Sequence, residues 1–303
     1  MVVVDSVELK SVRKAYGNFL AVDDLSFSIA PGTVFGLLGP NGAGKTSTIR
    51  MMIGIILPDS GEVRLFGEPF RREHLERIGY LPEERGLYKK MKVLEHLILL
   101  GQLHGLSAAE AKRRAESWCQ RLEIAGWMQK KVEELSKGMQ QKIQFIAALM
   151  HEPDFIIMDE PFTGLDPVNT VLLKNVIMEL KQAGKSVLFS THQMEQVERM
   201  CDSILLIDRG KAVLHGELRE VKSRYGRDTV VLEFEGDPGF LQQSALVQSV
   251  KQNGRGVEVR LAPGADPQAL LEVAVPRARI SRFELLEPTL EEIFIEVVGR
   301  SSE

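Results

Sequence analysis

One run of eight residues constrains the fold of this chain more than any other feature. Residues 39–46 read Gly-Pro-Asn-Gly-Ala-Gly-Lys-Thr, between an apolar run at 34–38 and a helix-like run at 48–53. This is the pattern of a phosphate-binding loop, which works where it joins a strand to a helix. Its glycines let backbone N–H groups turn toward phosphate oxygens, and the positive end of the helix adds to the attraction. The complete pattern in this context disfavours the alternative, a plain glycine-rich turn.

The side chains of the loop predict more specific contacts. Lys45 is expected to lie against the β- and γ-phosphates of a bound nucleotide, and the Thr46 hydroxyl is expected to ligate magnesium. The other loop residues assigned to phosphate binding are Gly39, Asn41, Gly42, Gly44 and Ser47.

The bulk properties exclude several classes of protein. The 38 Lys and Arg against 42 Asp and Glu leave a net charge of −4, so no nucleic-acid partner is expected. Cys119 and Cys201 lie far apart and form no metal or redox spacing, which is typical of plain thiols in a cytosolic protein. The N-terminus lacks the pattern of a signal peptide, and no apolar run approaches the ~20 residues that span a bilayer. We therefore expect a soluble protein whose membrane role, if any, depends on a partner.

Along the chain, short apolar runs alternate with helical patterns, which predicts an α/β core with a largely parallel sheet. The predicted strands lie within 7–29 and at 34–38, 63–66, 78–81, 155–158, 185–190 and 204–207. Residues 58–61, Pro-Asp-Ser-Gly, are predicted to close the helix that follows the glycine loop. Residues 93–134 read as helix, with a capping box at 107–110. Asp166-Pro167 predicts a helix start, because it places a carboxylate at the N-cap and proline in the first turn.

The pattern of apolar and polar residues changes near residue 226. Alternating apolar positions at 230–234 and 257–261 predict amphipathic strands, and residues 266–275 read as a helix. Thr-Leu-Glu-Glu at 289–292 is a second capping box before a last helix. We therefore predict two domains, residues 1–225 and a small α+β domain at 226–303.

Four further motifs follow the glycine loop in order. They are Leu-Ser-Lys-Gly-Met at 135–139, an apolar strand ending in Asp-Glu at 155–160, Gly-Leu-Asp at 164–166 and Thr-His at 191–192. This series resembles the ATP-binding subunit of an ABC transporter over roughly the first three-quarters of the chain. The resemblance implies a P-loop ABC ATPase core. Such a core has a mostly parallel sheet, an antiparallel N-terminal subdomain and a helical subdomain, here at about 88–150.

The resemblance assigns roles to the residues after the buried strand. Asp159 would hold Mg²⁺, Glu160 would act as general base for the attacking water, and His192 would contact the γ-phosphate. An acidic strand end can also simply face solvent. The binding role is favoured because ligands bind at the carboxyl ends of strands in open α/β sheets. Tyr16 corresponds to the aromatic residue that stacks on adenine, although simple packing would also explain it.

Ser136, Gly138 and Asp166 have two possible roles. Local chemistry makes Ser136 and Asp166 ordinary helix N-caps. By resemblance, all three would contact the nucleotide of a second copy in a head-to-tail dimer enclosing two ATP molecules. The two roles are compatible.

Three residues depart from the family pattern. Glu83, followed by Glu84, stands where the family usually has the Q-loop glutamine, and it is expected to ligate magnesium or orient water while adding a charge. In the signature, Lys137 replaces a glycine and Met139 replaces the glutamine. We expect ATPase activity to survive these changes.

The resemblance implies an ATP-hydrolysing subunit that powers a separate membrane permease, with export of an ion, drug or small molecule as the expected direction. The chain would then lie in the cytoplasm, on the membrane face, held by the permease. The C-terminal segment, including Pro-Thr-Leu-Glu at 288–291, resembles the accessory domain of sodium- and drug-efflux ATPases. Its expected role is dimerisation or regulation, with a purely structural role as the alternative. The alternative is a soluble ABC-type ATPase with a regulatory or nucleic-acid-related role. Such proteins usually carry two ATP modules or a long coiled coil, and this chain has one P-loop.

Overall fold

The computed structural model describes residues 4–84, 86–225, 229–253 and 256–300. The chain divides into two compact units, Met1–Leu218 and Arg219–Glu303. The predicted domain boundary lies slightly further along the chain, between residues 225 and 226. Among the described residues, no helix combines the length and the apolar character needed to cross a bilayer.

The first unit contains ten strands and six helices among its described residues. Its strands are β1 (Val7–Tyr16), β2 (Phe19–Ile29), β3 (Val34–Leu38), β4 (Ser60–Leu65), β5 (Glu68–Pro69), β6 (Ile78–Leu81), β7 (Phe155–Asp159), β8 (Ser186–Thr191), β9 (Ser203–Asp208) and β10 (Lys211–Glu217). Its helices are α1 (Lys45–Met52), α2 (Val93–Leu103), α3 (Ala108–Arg121), α4 (Lys137–Leu149), α5 (Pro167–Gln182) and α6 (Met194–Met200). Short 3₁₀ helices lie at Arg72–Arg77, Ala125–Trp127 and Val132–Glu134, and α7 (Leu218–Arg224) follows β10 along the chain.

The central sheet has the strand order β10-β9-β3-β8-β7-β6. Its five strands from β9 to β6 pair in parallel, and β10 pairs antiparallel with β9. Every residue of β3, β7 and β8 is buried. Continuous apolar strands of this kind are covered on both faces, which confirms the mostly parallel core predicted from the sequence.

An antiparallel sheet of order β2-β1-β4-β5 forms the N-terminal part of this unit. The prediction that residues 58–61 close the helix after the glycine loop was wrong, because α1 ends at Met52 and Ser60 and Gly61 belong to β4. Gly61 adopts a φ of 88° where β4 passes β1, and a Cβ there would lie 2.3 Å from the carbonyl oxygen of Ser11. The glycine therefore marks a close approach of two strands rather than a chain reversal.

Three helices, α2, α3 and α4, form the predicted helical region. Ser107 caps α3 by accepting a hydrogen bond from the backbone N–H of Glu110. The Glu110 carboxylate does not complete the capping box, since it accepts hydrogen bonds from Arg113 and Arg114 instead. These hydrogen bonds lower the pKa of Glu110 to about 2. The Ser107 half of the predicted capping box is therefore correct. The Glu110 half is wrong, because the two arginines bind its carboxylate.

The second unit is an antiparallel sheet with helices. Its strands are β11 (Thr229–Glu235), β12 (Val247–Asn253), β13 (Gly256–Leu261) and β14 (Arg279–Leu286), in the order β12-β13-β11-β14, and its helices are α8 (Gly239–Gln242), α9 (Pro267–Ala274) and α10 (Leu290–Arg300). Alternate residues of the two inner strands form its core. Thr289 and Glu292 exchange hydrogen bonds before α10, which confirms the second capping box. The sequence missed β12 and β14, which are the edge strands and carry weaker burial patterns.

We predict that Gly79→Ala destabilises the first unit. Gly79 lies on β6 against α4, and a Cβ there would lie 2.1 Å from the carbonyl oxygen of Ala148 and 2.9 Å from Pro153 Cγ. Backbone must move to admit the methyl group, so the free energy of unfolding should fall by about 1–3 kcal/mol. Urea unfolding measures this change. Gly126→Ala is the matched control, because no atom lies within 4 Å of the added Cβ. Equal stability of the two variants would contradict the assigned packing.

Candidate active site

The loop between β3 and α1 is built on glycines that have no room for a side chain. Gly39 has a φ of 150°, and a Cβ there would lie 2.2 Å from the carbonyl oxygen of Ile207. Gly44 has a φ of 111°, and its Cβ would lie 2.4 Å from the carbonyl oxygen of Ala21. Gly44 also caps α1 without a side-chain hydrogen bond. The first N–H groups of α1 have no intrahelical acceptor, so they can bind an anion.

Lys45 is held inside this loop. Its side chain is 7 % exposed, and Nζ donates to the carbonyl oxygens of Gly39 at 2.7 Å and Pro40 at 3.1 Å. Burial lowers the pKa of the Lys45 ammonium, and the negative charges of Glu160, Asp159 and Glu83 oppose that shift. Two carbonyl oxygens thus fix the ammonium at the loop, where it can interact with the oxygens of a phosphate.

Asp159 ends β7 directly beside the loop. It is 1 % exposed and accepts a hydrogen bond from the Thr46 hydroxyl at 3.0 Å and a second one from the Ser190 hydroxyl. A carboxylate and a hydroxyl in contact are hard oxygen donors of the type that Mg²⁺ takes, usually together with phosphate and water. The residues present therefore fit a magnesium site.

Glu160 follows Asp159 in an unusual backbone conformation. Its φ is 50°, in the left-handed region, and its N–H donates to the Ser190 carbonyl at 3.2 Å. Non-glycine residues in this region are strained by about 1–3 kcal/mol and concentrate at functional sites. The Glu160 carboxylate is hydrogen-bonded to His192 Nδ1 at 2.8 Å and to the Thr191 hydroxyl at 3.4 Å. The backbone turn thus places two successive carboxylates at the same edge of the sheet.

Tyr80 lies on β6, the strand that pairs with β7. Burial raises the pKa of the Tyr80 hydroxyl to about 12, and the charge of Asp159 adds to the shift. A hydrogen bond with Arg50 and the positive charge of that residue act in the opposite direction. The Tyr80 hydroxyl therefore stays protonated at neutral pH.

The glycine loop, Asp159 and Glu160 line one pocket of about 320 Å³, within the size range of small-ligand sites. Two exposed aromatic rings stand at its side, Tyr16 at 45 % and Phe19 at 60 %, and the Tyr16 hydroxyl lies 3.5 Å from Ser47 Oγ. The pocket is lined by Tyr16, Phe19, Ala21, Asn41, Gly42, Ala43, Gly44, Lys45, Thr46, Ser47, Glu83, Asp159 and Glu160. An aromatic wall beside a phosphate loop can accept a planar base.

Five predicted site residues do not line this pocket. Gly39 is one of them, and its carbonyl oxygen accepts a hydrogen bond from Lys45 Nζ at the start of the loop. His192 is linked to it through Glu160, and its side chain is about half exposed. Ser136 caps α4 by accepting from Met139 N, and Asp166 caps α5 by accepting from Asn169 N. Gly138 lies near the 164–165 turn, where an added Cβ would lie 3.6 Å from Leu165 Cδ2. The N-cap roles predicted from local chemistry are therefore present in the single chain.

Sequence reasoning missed Ser190 and Phe19. The Ser190 hydroxyl donates to Asp159, and its position is fixed by the parallel register that pairs the two residues. A signal for it existed in the polar Ser-Thr-His run that ends the buried strand β8. Phe19 follows the β1–β2 turn, and only the fold brings it beside the loop.

Comparisons with known proteins agree with these observations. The family model "ABC transporter" matches residues 22–163, and the model "ATP-binding protein DrrA1-3-like, C-terminal domain" matches residues 216–298. The chain is 44 % identical over 288 residues to the uncharacterized ABC transporter ATP-binding protein YhaQ of Bacillus subtilis (strain 168), covering 95 % of this chain and 97 % of that protein.

A second relative carries a functional name. The chain is 36 % identical to Nod factor export ATP-binding protein I of Paraburkholderia xenovorans (strain LB400), covering 97 % of each chain. Among solved structures, an ATP-binding subunit of an ABC transporter superimposes with a TM-score of 0.67 at 32 % identity, covering 73 % of this chain and 93 % of that one.

We predict that Ser190→Ala lowers the rate of ATP hydrolysis by more than its effect on the stability of the fold can explain. The change removes a hydrogen-bond donor from Asp159, and loss of such a supporting partner typically costs on the order of 10–100-fold in activity or metal affinity. ATP hydrolysis as a function of magnesium concentration measures the effect. Ser186→Ala is the matched control, because Ser186 is also a buried, hydrogen-bonded serine of β8 but lies at the opposite end of the strand. Equal losses of hydrolysis in both variants would mean that Ser190 acts through stability alone.

Proposed function

This chain belongs to the family of ABC transporter ATP-binding proteins, and we propose that it hydrolyses ATP to drive a separate membrane permease that exports a substrate. The observation that carries the proposal is the hydrogen-bonded group at the ends of β7 and β8. There Asp159 contacts Thr46 of the glycine loop, while Glu160 contacts His192. Export as the direction is supported by the name of the Nod factor export relative.

In the proposed complex, the glycine loop and the aromatic side chains bind ATP. Tyr16 stacks on the adenine, and Phe19 extends the apolar surface beside it. Backbone N–H groups of the loop hold the phosphates, and Lys45 contributes its positive charge to the β- and γ-phosphates. The loop residues assigned to this role are Gly39, Asn41, Gly42, Gly44, Lys45, Thr46 and Ser47.

Magnesium would be held by the Thr46 hydroxyl and the Asp159 carboxylate, with Glu83 on the same pocket wall. The bound ion would neutralise charge on the phosphate oxygens. Ser190 fixes the orientation of the Asp159 carboxylate.

Glu160 is the proposed general base. It is 8 % exposed and lines the pocket, so its carboxylate can accept a proton from a water molecule there. His192 holds the Glu160 carboxylate through a 2.8 Å hydrogen bond, and in our proposal it also contacts the γ-phosphate. The Glu160 backbone is in the left-handed region, and its carboxylate lines the same pocket as Asp159.

A second copy of the chain would complete the site. Ser136, Gly138 and Asp166 do not line the pocket of their own chain. Ser136 and Gly138 lie at the start of α4, where N–H groups can bind a phosphate of a partner's ATP. We propose a head-to-tail dimer that closes on ATP and opens after hydrolysis, with the permease following this motion.

We predict that Glu160→Gln stops turnover but keeps ATP binding. The amide retains the shape of the side chain but is a poor base, so the hydrolysis rate should fall about 10²–10⁴-fold. A phosphate-release assay and size-exclusion chromatography with ATP measure turnover and the trapped dimer. Glu195→Gln, an exposed residue paired with Arg199, is the control and should hydrolyse normally. Wild-type turnover in Glu160→Gln would remove Glu160 as the base.

We also predict a permease partner. A tagged copy of the chain, purified from detergent-solubilised membranes of its host, should retain a multi-span membrane protein in a fixed ratio. Mass spectrometry identifies that protein, and its addition should change the ATPase rate of the chain. Recovery of ribosomes or DNA-repair proteins in its place would support the soluble, non-transport alternative.

A further inference from the structure

A lysine-rich surface lies where the chain enters the helical region. The segment before α2 carries Lys89, Lys90 and Lys92, and the segment that follows α3 carries Lys130 and Lys131. All five residues are exposed. An antiparallel bridge joins Lys92 to Lys131, and backbone hydrogen bonds from Val93 to Lys130, from Val132 to Met91 and from Glu133 to Lys89 bind the two segments together. Two stretches far apart in sequence thus form one basic surface.

This surface is only weakly neutralised. Lys130 and Lys131 approach Glu134 and Glu133 at 4.0 and 3.9 Å, which is the limit of an ion pair. In the described part of the chain, Lys89, Lys90 and Lys92 have no carboxylate within ion-pair distance. Five lysines against these two glutamates leave a local formal charge of +3, in a protein whose total is −4. Concentration of positive charge on an acidic protein indicates a negatively charged partner.

Two aromatic side chains stand beside the lysines. Tyr88 precedes Lys89 and is 53 % exposed, while its ring is anchored against the buried His96 at 5.6 Å. Trp127 is 40 % exposed, and its carbonyl accepts a hydrogen bond from the Lys130 N–H at 2.9 Å. We call Tyr88, Trp127 and the five lysines the lysine–aromatic surface. Exposed Tyr and Trp with lysine are the combination found at membrane–water interfaces.

We propose that the lysine–aromatic surface binds the anionic phospholipid headgroups of the membrane directly. All the cationic side chains of the lysine–aromatic surface are lysines, whereas arginine is the side chain that suits paired, planar recognition of a carboxylate. Flexible lysines are instead matched to a diffuse negative surface. Arg85 precedes the first segment in sequence and lies outside the described residues. The inference goes beyond the proposed function, in which the permease alone holds the protein at the membrane.

Vesicle co-sedimentation of the full-length protein tests this without a permease. The protein should bind vesicles of phosphatidylglycerol mixed with phosphatidylcholine, should not bind pure phosphatidylcholine vesicles, and should dissociate as salt is raised. Each lysine near an anionic bilayer contributes about fivefold in partitioning, so the triple variant Lys89→Gln, Lys90→Gln, Lys92→Gln should bind on the order of 100-fold more weakly.

A triple variant with the same change of net charge is the control. Lys10→Gln, Lys112→Gln, Lys211→Gln removes three exposed lysines that lie elsewhere and have acidic partners. It should bind vesicles nearly as well as the wild type. Absence of vesicle binding, or equal losses in both triple variants, would overturn the proposal. A further result would also overturn the proposal: the first triple variant no longer captures the permease, and the wild-type protein does not bind vesicles. That result would assign the surface to a protein partner.

Fluorescence tests whether the aromatic part enters the interface. In a Trp118→Phe variant, Trp127 is the remaining tryptophan of the two in the chain. Its emission should shift to the blue on anionic vesicles and should be quenched by lipids with brominated tails, and an unchanged spectrum would contradict the assigned contact. ATP hydrolysis measured without vesicles reports on the proposed function separately, so failure of one inference is distinguishable from failure of the other.

Discussion

The parallel register of three strands is the constraint on which the site depends. β3 pairs with β8 so that Leu38 lies opposite Thr191, and β8 pairs with β7 so that Ser190 lies opposite Asp159. Parallel strands end at the same edge of a sheet, so the loop after β3 meets the polar residues that end the other two. The hydrogen bonds of Asp159 to Thr46 and Ser190 follow from this alignment. A shift of one residue would separate the acid from the loop and turn it to the other face.

Close backbone approach is the second condition of the site. Gly39 and Gly44 pass so near Ile207 and Ala21 that neither position has space for a methyl group. The loop therefore presents backbone N–H groups instead of side chains, and Lys45 Nζ donates to the carbonyl oxygens of Gly39 and Pro40. Glu83 adds a third carboxylate whose charge acts on Lys45. A glutamine at this position would leave the pocket with one negative charge fewer.

Much of the fold could be predicted from local pattern. The continuous apolar strands β3, β7 and β8 and the N-caps at Ser107, Ser136 and Asp166 depend on neighbours in sequence. The edge strands β12 and β14 were not predicted, because a strand paired on one side with partly exposed residues carries little periodicity. The failure at Ser60-Gly61 has a similar origin, since a glycine required by a neighbouring strand has the same sequence signature as a glycine in a turn.

The sequence by itself determined the chemical inventory of the site, because the glycine loop, the Asp-Glu pair and the histidine each follow a local element that predicts their placement. Only the tertiary structure decided which side chains support one another. Three features depend on contacts between segments that are distant in the chain. They are the hydrogen bond from Ser190 to Asp159, the left-handed backbone of Glu160 and the position of Phe19 beside the loop. The same holds for the five lysines, which form one surface because a backbone bridge joins residues 92 and 131. Local pattern contains no information on such pairings, since they arise from the packing of whole elements.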